Sequence, residues 1–355
     1  MSSTFLIGLL ITFMCFIVPA VMYNSAVRRN APILKQISFI PICLTVAVAS
    51  LLSYFLFYNQ HQFLASMSLV ELILPFVVAI LIYVIACAKN LYKLTYVAFA
   101  CGAFICSFAI PQDAVAAISP LAPIYNRILV AVAWTFFSWI FAYSDTCEAM
   151  SGIQAFAITA GIAILGFINA VPPLLGMFSA YLAASCFALI IFNWYPSRIS
   201  LNKIDVMCLG FLVFAPISWA VCENAASCTI IFSMYLLIDF VCAALLLLTF
   251  SRKYRNLIDN TSCRQALQKG LPPSMAASFS CRIQILLIFF GAFQTMSSHQ
   301  YSLVLVTALM TLWFLYRFRN LDQKERSIAE INRQVIEDLQ DRVNDIKQYI
   351  HGDDE

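Results

Sequence analysis

Charge is what this sequence has least of. Of its 355 residues, 11% are Asp, Glu, Lys or Arg and 62% are hydrophobic, whereas a soluble domain carries about a quarter of its residues as charges. That deficit excludes a water-soluble globular protein. Glycine is also scarce: 10 residues, against the usual fraction of about 7%, so glycine-rich phosphate-cradling loops are not expected. The three histidines, His61, His299 and His351, lie in loops or the tail, which leaves no histidine general base on the basic face. The thirteen cysteines form no Cys-x-x-Cys pair, and without ligand spacing no metal or redox site is expected. Most lie in apolar segments, where a free cysteine behaves as a small hydrophobe. Cys222 and Cys228 are the exception. They flank one outer loop and are expected to be able to form a disulfide there.

What is present is a series of long apolar runs. A spanning helix needs roughly 20 mostly apolar residues. By that criterion there are about eleven segments: 5–27, 38–57, 68–88, 92–111, 127–145, 150–168, 171–193, 204–222, 228–250, 282–297 and 300–317. The first has no basic leader and no small-residue cleavage site, so it reads as a retained helix. The expected fold is therefore an all-α polytopic membrane bundle. Basic residues set its orientation. One set of loops carries Arg28, Arg29, Lys35, Lys89, Lys93, Arg198, Lys203, Arg252, Lys253, Arg255, Arg264 and Lys269. The other holds His61, Asp113, Glu223 and His299, with Arg127 as its one cation. The N-terminus is thus expected outside and the C-terminus inside. The net charge of +3 follows from this asymmetry and gives no reason to invoke nucleic acid.

Two domains are expected: a membrane unit, 1–317, and a polar tail, 318–355. In the long loop 251–281, Leu271-Pro272-Pro273 stops any helix begun before it. In the tail, Ile328, Ile331, Val335, Leu339, Val343, Ile346 and Ile350 recur every three or four residues, with charges between them. That pattern predicts a cytoplasmic amphipathic, coiled-coil-like helix leading out of the last span. Gly352 marks its end. The stripe either packs on its own membrane domain or binds a second copy or another protein.

One inner-loop frame carries the remaining information. Ala142-Tyr143-Ser144-Asp145-Thr146-Cys147-Glu148-Ala149 is followed by Pro196-Ser197-Arg198-Ile199, then Asn202-Lys203-Ile204-Asp205-Val206 and Leu209-Gly210-Phe211. It resembles the polyprenyl-phosphate N-acetylhexosamine-1-phosphate transferases (glycosyltransferase family 4), over most of 1–317 and at low identity. Members move a phosphosugar from a UDP-sugar to a lipid phosphate, use Mg²⁺, and have ten or eleven spans with active-site loops on the cytoplasmic side.

The resemblance implies the bacterial inner membrane, cell-envelope glycan synthesis and polyprenyl phosphate as a ligand. It also implies site positions, and these are degenerate. A paired Asp-Asp at the end of the third helix is replaced by Ala86 and Cys87. Asn-x-x-Asp-Gly-x-Asp-Gly keeps Asp145, turns one Asp into Glu148 and loses both glycines. A key acid aligns with Lys203. A histidine motif near Ile258–Thr261 has no histidine, and a membrane acid is matched by Asp239. Lys89, Arg198 and Asp145 remain as substrate-binding candidates.

Mg²⁺ is held by carboxylate oxygens, so these losses imply an inactive homologue without a cofactor. Lys203 is expected to pair with Asp145 or Glu148 where a cation would sit. Asp239 reads either as a functional intramembrane charge or as a structural hydrogen bond within the bundle. The expected function is a membrane scaffold or regulator. The rivals are an active transferase with a rearranged site and a sensor signalling through the tail. A transporter is disfavoured by the few intramembrane charges and the lack of paired interrupted helices.

Overall fold

The computed structural model describes residues 2–28, 39–57, 68–87, 94–110, 122–249, 260–297, 301–319, 335–336 and 339–340. Among the described residues, twelve helices follow one another: α1 (Ser2–Arg28), α2 (Phe39–Phe57), α3 (Leu69–Cys87), α4 (Thr95–Ser107), α5 (Pro123–Ser144), α6 (Met150–Phe167), α7 (Pro173–Asn193), α8 (Lys203–Cys222), α9 (Ala226–Thr249), α10 (Ser262–Gln268), α11 (Pro273–Gln294) and α12 (Ser302–Arg319). No strand occurs among the described residues. Hydrocarbon offers no partner for a free backbone N–H or C=O, so apolar runs of this length cross a membrane as helices. Ten of the twelve are long and apolar enough to do so. The chain is an all-α, multi-pass membrane bundle.

The eleven expected spans correspond one to one with all helices except α10, with two corrections. The fourth, α4, has only 13 residues, or about 20 Å at the helical rise. It still leads from the end of α3 to the start of α5. At its far end Arg127 of α5 donates to the carbonyls of Ser107 and Ile110 and lies over the Phe108 ring. A buried guanidinium thus replaces the donors that the last helical carbonyls lack, and α4 stops there. This also explains the one cation on the acidic side. The second correction is α11, which starts at Pro273 rather than near 282 because proline suits the first helical position. As expected, the Leu271-Pro272-Pro273 run separates it from α10.

The core sits around α6, α7 and α8. In α8, 83% of the spanning window is buried, against 22% in α1 and α12, so α8 is central and those two are peripheral. The scarce glycines are spent on helix contact, as in other membrane bundles. A Cβ on Gly166 of α6 would stand 2.4 Å from the Gly176 Cα of α7. Phe232 of α9 fits against Gly161 of α6 and Gly291 of α11, where added Cβ atoms would meet its ring at 2.7 and 2.2 Å.

Two further expectations can be placed. Cys222 ends α8 and Cys228 lies in the first turn of α9, and both are free thiols. Cys228 is buried in the bundle's apolar core, and Cys222 packs against that same core. Of the tail, Val335, Ile336, Leu339 and Gln340 are described and helical. Val335 and Leu339 are 52% and 56% exposed, so neither is buried against the bundle. Ile328, Ile331, Val343 and Ile346 lie outside the described residues.

Candidate functional site

The frame residues converge at the end of the bundle carrying the basic loops. α5 ends at Asp145, whose Oδ1 accepts the backbone N–H of Ser151 at 3.2 Å, in the first turn of α6. An acid there meets the positive end of the helix dipole. Burial pushes the Asp145 carboxyl up to about 6, against the opposing pull of its Ser151 hydrogen bonds. Between them the chain turns through Ala149, at φ +66°, a left-handed conformation that costs a residue with a Cβ about 1–2 kcal/mol.

Glu148 fastens this turn to the connection between α7 and α8. Ser197 Oγ donates to its Oε1 at 2.8 Å and Ser197 N–H to its Oε2 at 3.1 Å. Both carboxylate oxygens are therefore engaged. The expected ion pair with Lys203 is not formed: among the described residues, no salt bridge joins Lys203 to either acid. The Lys203 ammonium lies instead 4.3 Å above the centre of the Tyr143 ring. An exposed cation on an aromatic face stays hydrated on its other side, while Ser197 and Ser151 already serve the two carboxylates.

Asp205 is fully buried and closes a capping box at the start of α8. Asn202 N–H donates to its Oδ2 at 3.0 Å, and Asn202 Oδ1 accepts from the N–H groups of Ile204 and Asp205 at 2.8 and 2.9 Å. Such a box satisfies donors that a helix start leaves open. Tyr83 of α3 lies beside both Asp205 and Cys87, which brings the end of α3 to the same place. Ala86 there is buried and Cys87 exposed. Arg198 is exposed and held through its backbone N–H to Phe192 O at 2.9 Å. Lys89 lies outside the described residues.

Asp239 belongs to a separate node. Its Oδ1 accepts Ser262 N–H at 2.9 Å and lies 3.6 Å from the Arg319 guanidinium. Arg319 also donates to Ser262 Oγ at 2.8 Å and to Asn260 O at 3.1 Å, and Lys269 donates to the Arg319 carbonyl. The intramembrane charge is thus paired, and it ties α9, α10 and α12 together. Of its two expected readings, these bonds match the structural one.

The two regions meet through a thiol contact that spacing did not reveal. Cys263 of α10 donates to Cys147 of the 145–149 turn, with Sγ atoms 2.9 Å apart. That hydrogen bond first, then burial and the nearby acids, raise the Cys147 thiol pKa. Ser197, Tyr143, Ser262 and Arg319 also escape the sequence reading. Each is an ordinary loop or helix-end residue whose partner lies far along the chain.

The donor set does not fit the Mg²⁺ that the resemblance implies. A hard cation needs convergent oxygens, but Ala86, Cys87 and Lys203 supply none and Glu148 spends both oxygens on Ser197. Among the described residues, no three His, Cys, Asp or Glu side chains form a metal-holding group. Comparison of the chain with protein-family models and with curated protein sequences returns no match.

Proposed function

We propose that this chain is a non-catalytic relative of the polyprenyl-phosphate phosphosugar transferases, a membrane scaffold or regulator in cell-envelope glycan synthesis. One observation carries the reading. Each of the four described acids in the basic-end contacts accepts a backbone N–H: Asp145 from Ser151, Glu148 from Ser197, Asp205 from Asn202 and Asp239 from Ser262. Acids used in this way hold segments in place instead of pointing together at a phosphate-bound cation. Ala149 supports the transferase ancestry. It stands where the resembled motif has its second glycine, and it keeps the left-handed backbone that favours glycine.

With the loops latched, the exposed stripe at Val335 and Leu339 is the surface left for a second copy or an envelope-synthesis protein. The protein would reside in the bacterial inner membrane. The test is UMP release from a UDP-N-acetylhexosamine by the purified chain, with polyprenyl phosphate and Mg²⁺ or Mn²⁺. No release is expected. Release that Asp145→Ala abolishes would overturn the reading in favour of a working transferase with a rearranged site. Truncation after Asn320 tests the scaffold role separately and is expected to lower the oligomeric state in detergent; an unchanged state and unchanged binding of envelope enzymes would remove it.

A further inference from the structure

Cys147 and Cys263 are separated by 116 residues in sequence and by 2.9 Å in space. That gap is under 1 Å more than a covalent S–S bond of about 2.05 Å. Both thiols are held in place by their neighbours. Cys147 stands between Asp145 and Glu148, each fixed by a serine N–H. Cys263 follows Ser262, which Asp239 and Arg319 grip. All thirteen cysteines are described, and all are free thiols.

We propose that Cys147 and Cys263 form a dithiol oxidation site, with a small hydroperoxide as reactant and an intramolecular disulfide as product. Cys147 reacts first, because it is partly exposed whereas Cys263 is 1% exposed. Its sulfur attacks one peroxide oxygen. An S–O bond forms, the O–O bond breaks, and the thiol proton leaves with the second oxygen as water or an alcohol. Cys263 then displaces the hydroxyl of the resulting sulfenic acid. An S–S bond forms, the S–O bond breaks, and the Cys263 proton leaves in a second water. The peroxide gains two electrons and the two thiols lose them. Attack by Cys263 needs no diffusion, since a neighbouring group at contact distance acts at very high effective concentration. A dithiol reductant reverses the bond.

The bond would fasten the 145–149 turn to α10 and so join the two latched regions covalently. This inference rests on the thiol geometry and does not depend on the transferase ancestry.

The experiment places a protease site in the exposed Glu223–Asn224 turn of a Cys222→Ser/Cys228→Ser chain. The purified protein is treated with hydrogen peroxide, cleaved and run on a denaturing gel without reductant. The two fragments should stay joined, separate with dithiothreitol, and separate in either condition when Cys147→Ser is added. In the unsubstituted chain, peroxide should remove two of the thirteen thiols from maleimide labelling and yield one cross-linked peptide pair holding Cys147 and Cys263. Fragments that part after oxidation, or thirteen thiols still labelled in the unsubstituted chain, would overturn the proposal. So would a cross-linked peptide pair joining other cysteines.

Discussion

The two ends of the bundle are built by different chemistry. At the acidic end, backbone conformation makes the turns after α6 and α8, while the Arg127 and Gln294 side chains hold the ends of α4 and α11. Asn169 and Asn224 take left-handed φ values of 58° and 60°, which asparagine tolerates. The bonds Ala170 N–H to Leu165 O and Ala225 N–H to Ala220 O, 2.8 and 2.9 Å, then close α6 and α8. Gly166 and Gly176 let α6 and α7 touch beside the first of these turns. Where an acid takes part, it acts locally: Glu71 accepts Ser68 N–H three residues away.

At the basic end, side chains make the connections and most reach far. Glu148 and Ser197 are 49 residues apart, and Asp239 and Ser262 are 23. That end also carries the unfavourable Ala149 backbone.

Breaking a long-range latch is expected to cost most. Asp239→Ala leaves the Arg319 charge without its carboxylate and the Ser262 N–H without its acceptor, and removal of one member of a buried pair costs about 3–5 kcal/mol. Thermal unfolding in detergent reads this, and a loss below about 1 kcal/mol, the range of an exposed pair, would erase the contrast between the ends. Gly166→Ala attacks the acidic end instead. Its Cβ would overlap the α7 backbone, so a loss of about 2 kcal/mol is expected, with the Cys147–Cys263 contact intact by cross-linking.

Asp145 sharpens the comparison through pH. Its carboxyl sits at about 6 in the folded chain, against an ordinary 3.8. The native state keeps its proton where the unfolded state has lost it, so stability falls as pH rises from about 4 to about 6 and is flat above that range. Asp145→Asn keeps an acceptor for Ser151 and should remove this fall. The gain at neutral pH should be of order 1 kcal/mol, allowing for screening at a partly exposed group. The smallest effect is Ala149→Gly, which relieves the left-handed turn and should stabilise by about 0.5–1 kcal/mol.

The fold was legible because lipid demands long apolar helices, and such runs are local. The break at Pro272-Pro273 was legible for the same reason. α4 was read too long because its terminator, Arg127, lies beyond the end of the run. The site was legible only in part. Asp145, Glu148 and Asp239 stand out as acids in an apolar chain, but their partners do not. Ser197 and Ser262 look like any loop serine, and an N–H acceptor pattern has no sequence spacing. Lys203 was assigned to a carboxylate because it aligns with a metal-ligand position, whereas its ammonium lies over the Tyr143 ring. Cys147 and Cys263 have no motif because each lies on a different element.

The central claim is that the basic-end acids hold backbone and not a cation. Mn²⁺ binding to the purified full-length chain, followed by electron paramagnetic resonance and repeated with Asp145→Asn and Glu148→Gln, tests it most directly. The account predicts no saturable site in any of the three proteins, together with a lowered unfolding temperature for Glu148→Gln as Ser197 loses its carboxylate. A saturable Mn²⁺ site in the unsubstituted chain that disappears in either variant would contradict it.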